Sequence, residues 1–258
     1  MNAKKRHQII IQLLSEKGAI TVAELCELFN VSDMTVRRDL STLASAGLVR
    51  RIYGGAVSGR RRSFEPPFLT RAQESQQVKE AIGAYAASLV SEGDSIALDV
   101  GTTTLEMARN LSRLRAITVI TASLPIVNVL VDYTDIQVIL AGGILRREEQ
   151  SMVGPIAEET FQRFHVDKVF IGVAGVDLEA GLTEYNLDDA RVKEHLIRSG
   201  QRHILLVDSG KLGRRKFAAV ARLSDIHEIV TDDKIEDDYY HALQKLGITV
   251  HIVEIQRP

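Results

Sequence analysis

The chain is poor in cysteine: Cys26 is the only one among 258 residues. A single thiol excludes an intramolecular disulfide and any metal site built on several thiolates. Cys26 sits among Val22, Leu25 and Leu28 on an apolar helical face, so a buried, inert thiol is expected rather than a redox centre. Long apolar runs are missing too. No stretch approaches 18 uninterrupted apolar residues, and the first residues are charged and then amphipathic, with no apolar signal segment. A cytoplasmic protein is expected. There is no internal repeat and no low-complexity segment. The seven histidines (His7, His165, His195, His203, His227, His241, His251) are scattered, without paired helical spacing or a nearby thiol. A metal-dependent role therefore has little behind it, and neither metal nor cofactor is expected.

What is present is enough for two domains, since 45% of the residues are apolar. The net charge of −2 hides an asymmetry. Residues 1–62 hold eleven Lys/Arg against five Asp/Glu, net +6; the remainder holds twenty-one against twenty-nine, net −8. A basic head on an acidic body is what a protein needs if its head alone meets a polyanion.

The head reads as helix, helix, turn, helix and hairpin. Ile9, Ile10, Leu13 and Leu14 recur at helical spacing, and Gly18 stops that helix. Ile20 and Val22 fit a short strand, and Thr21 with Glu24 three residues later makes a capping-box pattern for a second helix ending near Asn30. Ser32 caps a third helix, which ends at Gly47; Val36, Leu40 and Leu43 face its core, and Thr35, Arg37, Arg38 and Ser41 face out. Arg50 and Arg51 then lead into a Tyr53-Gly54-Gly55 turn. A helix presenting short polar residues and arginines beside a basic hairpin is the layout of a winged helix-turn-helix entering a DNA major groove. The candidate DNA-contacting set is Ser32, Thr35, Val36, Arg37 and Arg38 with Arg50, Arg51 and Tyr53. The expected boundaries are a DNA-binding domain over 1–57, a linker over 58–74 containing the unpatterned SGRRRSFEPP run, and a ligand-sensing domain over 75–258.

From Phe68 on, helix-like stretches (78–90, 105–114, 124–133, 157–164, 190–199) alternate with β-rich runs (95–98, 118–121, 137–140, 168–173, 203–207, 228–231, 249–253). This alternation predicts an α/β domain with a mostly parallel sheet. Parallel sheets bind ligands at the carboxyl ends of their strands. Those ends here carry Asp99 and the turn Gly101-Thr102-Thr103-Thr104, then Thr121 and Ser123, Gly142-Gly143 with Arg146 and Arg147, Gly175 with Asp177, and Asp208-Ser209-Gly210-Lys211. Singly, each reads as an ordinary cap, turn or solvated lysine. Together they predict a site for a small phosphorylated polyhydroxy compound. Asp99 and Asp177 would read hydroxyls, the threonine turn would cradle a phosphate, and Lys211 or Arg146 would balance its charge.

These residues, in this order, resemble the DeoR family of bacterial transcriptional regulators. VAELCELFNVSDMTVRRDL and GLVRRIYGGA carry the resemblance in the head. In the body it rests on DVGTT, Gly142-Gly143, Met152-Val153-Gly154-Pro155, Gly175-Val176-Asp177, Gly181-Leu182-Thr183 and VDSGKLG. It spans about Lys5 to Asp232. It implies an effector domain similar in fold to ribose-phosphate isomerases and CoA transferases, which senses phosphorylated sugars and releases DNA on binding them. The chain departs from the common pattern at Tyr53, where histidine is frequent, at Val100, where serine is frequent, and at Leu212, where phenylalanine is usual. The stretch from Glu184 to Lys193 and the DVGTT spelling resemble the glycerol-3-phosphate repressors of the family. The implied partners are operator DNA, a phosphorylated sugar or polyol such as glycerol 3-phosphate, and further copies of the chain in a dimer or tetramer; no membrane is involved. The alternative is a sugar-phosphate isomerase carrying a DNA-binding appendage, with Asp99, Asp177, Glu184 or Asp189 as the base, though no spacing singles one out.

Overall fold

Thr21 and Ser32 set the helix starts of the N-terminal unit. The computed structural model describes residues 1–17, 19–46, 48–58 and 65–255. The chain divides into Met1–Pro67 and Phe68–Pro258. The first unit contains α1 (Ala3–Lys17), β1 (Ala19–Thr21), α2 (Val22–Phe29), α3 (Asp33–Ser45), β2 (Val49–Ile52) and β3 (Gly55–Ser58). At α2 the Glu24 amide donates to Thr21 Oγ1 (3.2 Å) and the Thr21 amide donates to Glu24 Oε2 (2.7 Å), a reciprocal cap that satisfies two orphan donors. Asn30 closes that helix in the left-handed region, and Ser32 Oγ accepts the Thr35 amide to open α3. The strands pair antiparallel in the order β1-β3-β2. Gly54, at φ +78°, makes the β2–β3 turn, and its carbonyl accepts the Val22 amide at 2.9 Å. Ile10, Leu14, Leu25, Val36, Leu40 and Leu43 fill the core. Two expectations shift here: Leu28 is 56% exposed, and Cys26 is half-buried at the core margin. Gly18, Gly47 and Arg60–Arg62 lie outside the described residues.

The second unit starts earlier than the sequence indicates. Phe68–Gln73, read as linker, form α4, and Phe68 is buried in this unit's core. α5 (Gln76–Ser88), β4 (Ser95–Leu98), α6 (Thr102–Arg109), β5 (Ile117–Thr121), α7 (Leu124–Leu130) and β6 (Ile136–Leu140) follow. Next come a hairpin of β7 (Ile144–Arg146) and β8 (Ser151–Val153), α8 (Pro155–Gln162) and β9 (Val166–Gly172). The chain continues with β10 (Gly175–Asp177), β11 (Gly181–Glu184), α9 (Leu187–Arg198), β12 (Gly200–Leu206), a single 3₁₀ turn at Ser209–Lys211 and β13 (Ala218–Ala221). It ends with β14 (Glu228–Asp232), α10 (Asp237–Lys245) and β15 (Thr249–Val253).

All seven predicted strands enter one parallel sheet of order β15-β14-β12-β9-β4-β5-β6. Alternate residues of each strand feed opposite cores. Ala97, Val169 and Leu205 pack beneath α8, α9 and α10, whereas Ile96, Leu98, Phe170, Ile204 and Leu206 pack beneath α5, α6 and α7. Burial on both faces explains why these strands read as apolar runs rather than as alternating ones. The chain builds outward from β4 through β5 to β6, then returns to β9 on β4's other side and builds outward again. The direction of winding therefore reverses between β4 and β9, and such a switch point opens a crevice at the strands' carboxyl ends. A separate antiparallel sheet, β10-β11-β13, covers part of this unit.

Candidate functional site

Arg37 and Arg38 are neighbours on α3, but their side chains are in different situations. The Arg37 guanidinium pairs with Asp33 one turn earlier, with Nη2 to Oδ2 at 3.1 Å, and that pairing holds the Asp33 carboxyl below its usual range. Arg38 is exposed, and its side chain has no partner among the described residues. Thr35 is half-buried, and its hydroxyl lies 2.9 Å from that of Ser32 at the helix start. Arg51 Nη1 donates to Ser41 Oγ (3.0 Å), fixing the wing strand to α3, and Tyr53 is fully exposed at the wing tip. Arg50 lies in β2, opposite Val57. Val36 is the correction in this set. It is completely buried in the head core, because the 3.6-residue period that brings Leu40 and Leu43 inward brings Val36 with them. Met34, 80% exposed on the first turn of α3, is a neighbour that sequence reading passed over.

On the opposite side of α3, Asp39 is buried and accepts from Arg6 Nε (2.7 Å), Arg6 Nη2 (3.1 Å) and His7 Nε2 (2.9 Å) on α1. Burial raises its carboxyl, but Arg6 and His7 outweigh burial and leave it below the ordinary value. This cluster fixes the roll of α3 about its axis, and so which residues face outward.

In the second unit, the β4–β9 crevice collects much of the predicted ligand set. Asp99 directly follows β4 and is 1% exposed. Its Oδ2 accepts the Gly172 amide at the end of β9 (2.9 Å) and the Lys193 ammonium from α9; Lys193 also donates to the Gly172 carbonyl (2.9 Å) and lies 3.5 Å from Glu184. Burial pushes the Asp99 carboxyl up, against Lys193 and the Gly172 amide. Asp99 thus has a neighbour already and bridges the two strands at the switch point. Gly101 precedes α6, where Thr104 Oγ1 is tied back to the Gly101 carbonyl (3.0 Å). The hydroxyls of Thr102 and Thr103, both 4% exposed, have no side-chain hydrogen bond among the described residues. Thr121 and Ser123 are buried in local roles: Thr121 Oγ1 accepts the Ser123 amide (3.1 Å), and Ser123 caps α7.

Other predicted residues have partners or close packing within the fold. Asp177 faces the β10–β11 turn, where Oδ1 accepts the Glu179 and Ala180 amides (3.0 and 2.8 Å) and Arg215 Nη2 (2.7 Å); Arg215 first, then the amides, hold its carboxyl at about 2. A side chain at Gly175 would meet the Arg214 carbonyl, and one at Gly143, φ +140°, the Val153 carbonyl, so close packing accounts for both glycines. Gly142 is less crowded. Arg146 does not project as a free cation but pairs with Asp189 of α9.

Residues outside the predicted ligand set complete the crevice together with Lys211. Asp189 and Lys193 are one turn apart on the buried side of α9, and among the described residues neither the buried Asp189 Oδ1 nor the buried Ser151 hydroxyl has a hydrogen-bond partner. Lys211 Nζ donates to the Val173 carbonyl (2.9 Å) and lies 3.8 Å from Asp208. Burial lowers its ammonium below the ordinary lysine value, opposed by Asp208 and reinforced by Arg71 and Lys193. Lys79 of α5 is 3% exposed and pushed down to about 8, by burial first and by Lys211 second. Lysines inside an α/β core, one at an apolar-period position of α9, were the available signal. The result is a set of cations in electrostatic range of one another at the strand ends. A cavity of about 670 Å³ lies at the opposite ends of β12 and β14, lined by Glu194, Arg198, His203, Asp225 and His227 among others.

No helix among the described residues is long and apolar enough to cross a membrane. Comparison with known proteins matches residues 6–62 to the DeoR-like helix-turn-helix domain and residues 74–233 to the DeoR C terminal sensor domain. The HTH-type transcriptional regulator GlpR of Haloferax volcanii is 34% identical over 246 residues, covering 95% of this chain and 96% of its own. The transcriptional repressor AccR of Agrobacterium fabrum is 34% identical over 232 residues, 90% of each chain. Among solved structures, ribose 5-phosphate isomerase A of Methanocaldococcus jannaschii is similar over 54% of this chain and 55% of its own, at 18% identity and a TM-score of 0.40. The family and the full-length relatives are regulators rather than isomerases. Both units match in order along the chain, which therefore belongs to the DeoR family of helix-turn-helix transcriptional regulators.

Proposed function

We propose that the chain represses an operon for carbohydrate or polyol breakdown and leaves its operator when a phosphorylated sugar or polyol fills the β4–β9 crevice. The observation that carries this reading is the chemistry of the crevice. Buried cations at Lys79 and Lys193 and the half-buried Lys211 match an anion, and the Asp189 Oδ1, Ser151, Thr102 and Thr103 groups, unpartnered among the described residues, match hydroxyls. A buried acceptor without a donor costs free energy, roughly 1–3 kcal/mol, which a ligand hydroxyl recovers. In the head, Arg38 and the wing meet phosphate or guanine edges, Ser32 and Thr35 lie at the helix end nearest the groove, and Arg37 engages once released from Asp33. Operator recognition by such heads needs two of them, so the acting form is a dimer or tetramer. The resemblance of the Glu184–Lys193 stretch to the glycerol-3-phosphate repressors of the family makes glycerol 3-phosphate the first compound to try.

The test is fluorescence anisotropy of the full chain on DNA from its own upstream region, with a panel of sugar and polyol phosphates headed by glycerol 3-phosphate. Salt-sensitive binding abolished by one compound is the expected result. Binding untouched by every compound removes the effector reading, and an absence of salt-sensitive binding removes the operator reading.

A further inference from the structure

Lys79 is a buried cation of the crevice that faces backbone rather than acid. Its ammonium donates to the carbonyl of Arg71 and to that of Glu74, the latter at 2.5 Å, and among the described residues no carboxylate lies within ion-pair distance of it. Both carbonyls belong to the end of α4 and the turn after it. α5 leads into the start of β4, so its first turns, with Lys79, stand at the strands' carboxyl ends, the side on which Lys211 follows β12. α4 has a second attachment: Arg71 pairs with Glu149, and the Phe68 amide donates to the Glu148 carbonyl (3.3 Å), both in the β7–β8 hairpin. That hairpin also carries Arg146, which pairs with Asp189 inside the crevice. α4 is thus strapped over the strand ends, and it is the first helix after the DNA-binding unit, which closes at Pro67.

We propose that Lys79 and Lys211 together receive the anionic group of the effector, and that Lys79 in doing so leaves the carbonyls of Arg71 and Glu74 and unlatches α4. This rests on the reading of the strand ends as the effector site, and it adds how occupancy reaches the head: through the helix from which the linker departs. Two lysines of like charge held in range of each other inside a protein gain most from a shared anion. The carbonyls that Lys79 now satisfies can take water once α4 loosens.

The experiment titrates inorganic phosphate and glycerol 3-phosphate into the full chain, reading affinity by calorimetry and amide exchange over residues 68–74 by mass spectrometry. Binding should speed exchange across α4 on the order of tenfold. Lys79→Met should weaken binding by on the order of tenfold or more and leave α4 exchange high and indifferent to ligand. Glu149→Gln loosens the strap without removing a crevice cation. If binding unlatches α4, reciprocity requires this variant to bind the probe more tightly than wild type. That readout survives even if Lys79→Met folds poorly. Binding that is lost in Lys211→Met but unchanged in Lys79→Met, or that leaves α4 exchange where it was, overturns the proposal and keeps the effector site. No binding of either probe to the wild-type chain overturns both.

Discussion

Two arginines that look equivalent in the sequence differ by one neighbour. Arg37 shares its charge with Asp33, whereas the Arg38 side chain has no such partner. Arg38→Ala should therefore weaken operator binding by roughly 1–3 kcal/mol, while Arg37→Ala costs less because Asp33 must first let the guanidinium go. Asp33→Asn separates the two, since it should raise affinity in wild type and leave an Arg37→Ala chain unchanged; anisotropy titrations measure all of these. Asp39 acts at the same scale but on the fold. Removing one member of a buried ion pair costs about 3–5 kcal/mol, so Asp39→Asn should lower the head's unfolding midpoint in denaturant well ahead of the second unit's. The sign with pH follows from the lowered carboxyl. Its contribution is complete above the unfolded value near 3.9 and is lost as pH falls through the lower folded value, so acid should melt the wild-type head over a range where Asp39→Asn is flat. Lys79 runs the other way. Its ammonium is lowered to about 8, so the folded state binds fewer protons than the unfolded one from there up to the free-lysine value. Wild type should gain stability over Lys79→Met as pH rises from 8 to about 10, in parallel urea titrations.

At the scale of elements, the start of α3 separates two roles of one hydroxyl. Ser32 caps the helix through the Thr35 amide and is also a candidate phosphate donor. Ser32→Ala should cost the head about 1 kcal/mol and Ser32→Gly only a few tenths. If both lower DNA affinity alike, the hydroxyl meets the DNA; if only alanine does, the cap alone matters. Capping and period made the head almost wholly legible in sequence, and the seven parallel strands were legible because both their faces are apolar. What escaped was short or polar. β7 and β8 have three residues each and an exposed Ile144, α10 buries little beyond Leu243, and α4 follows two prolines that read as linker. In the crevice, the strand-end turns were visible, but which carboxylates were already engaged was not. Asp177 finds Arg215 thirty-eight positions on, and Asp99 finds Lys193 ninety-four positions on, pairings that arise only once the sheet is wound.

For the whole molecule, the charge split decides how binding should respond to salt. With net +6 on residues 1–62 and −8 on the rest, the body repels DNA and the head alone supplies cations. Each phosphate contact contributes about 0.9 to the slope of log affinity against log salt on duplex DNA. Arg38→Ala removes one such contact per head, provided that Arg38 meets a phosphate. A single bound head would lose about 0.9 from the slope, whereas a pair of heads on a two-half-site operator would lose about 2. Doubling is the expected outcome, because one short helix per head reads too few base pairs to choose an operator unaided. A DNA carrying one half-site should bring the loss back to about 0.9 on the same protein. If the full operator also gives about 0.9, only one head is engaged, and paired recognition is ruled out without reference to the oligomer seen by sedimentation.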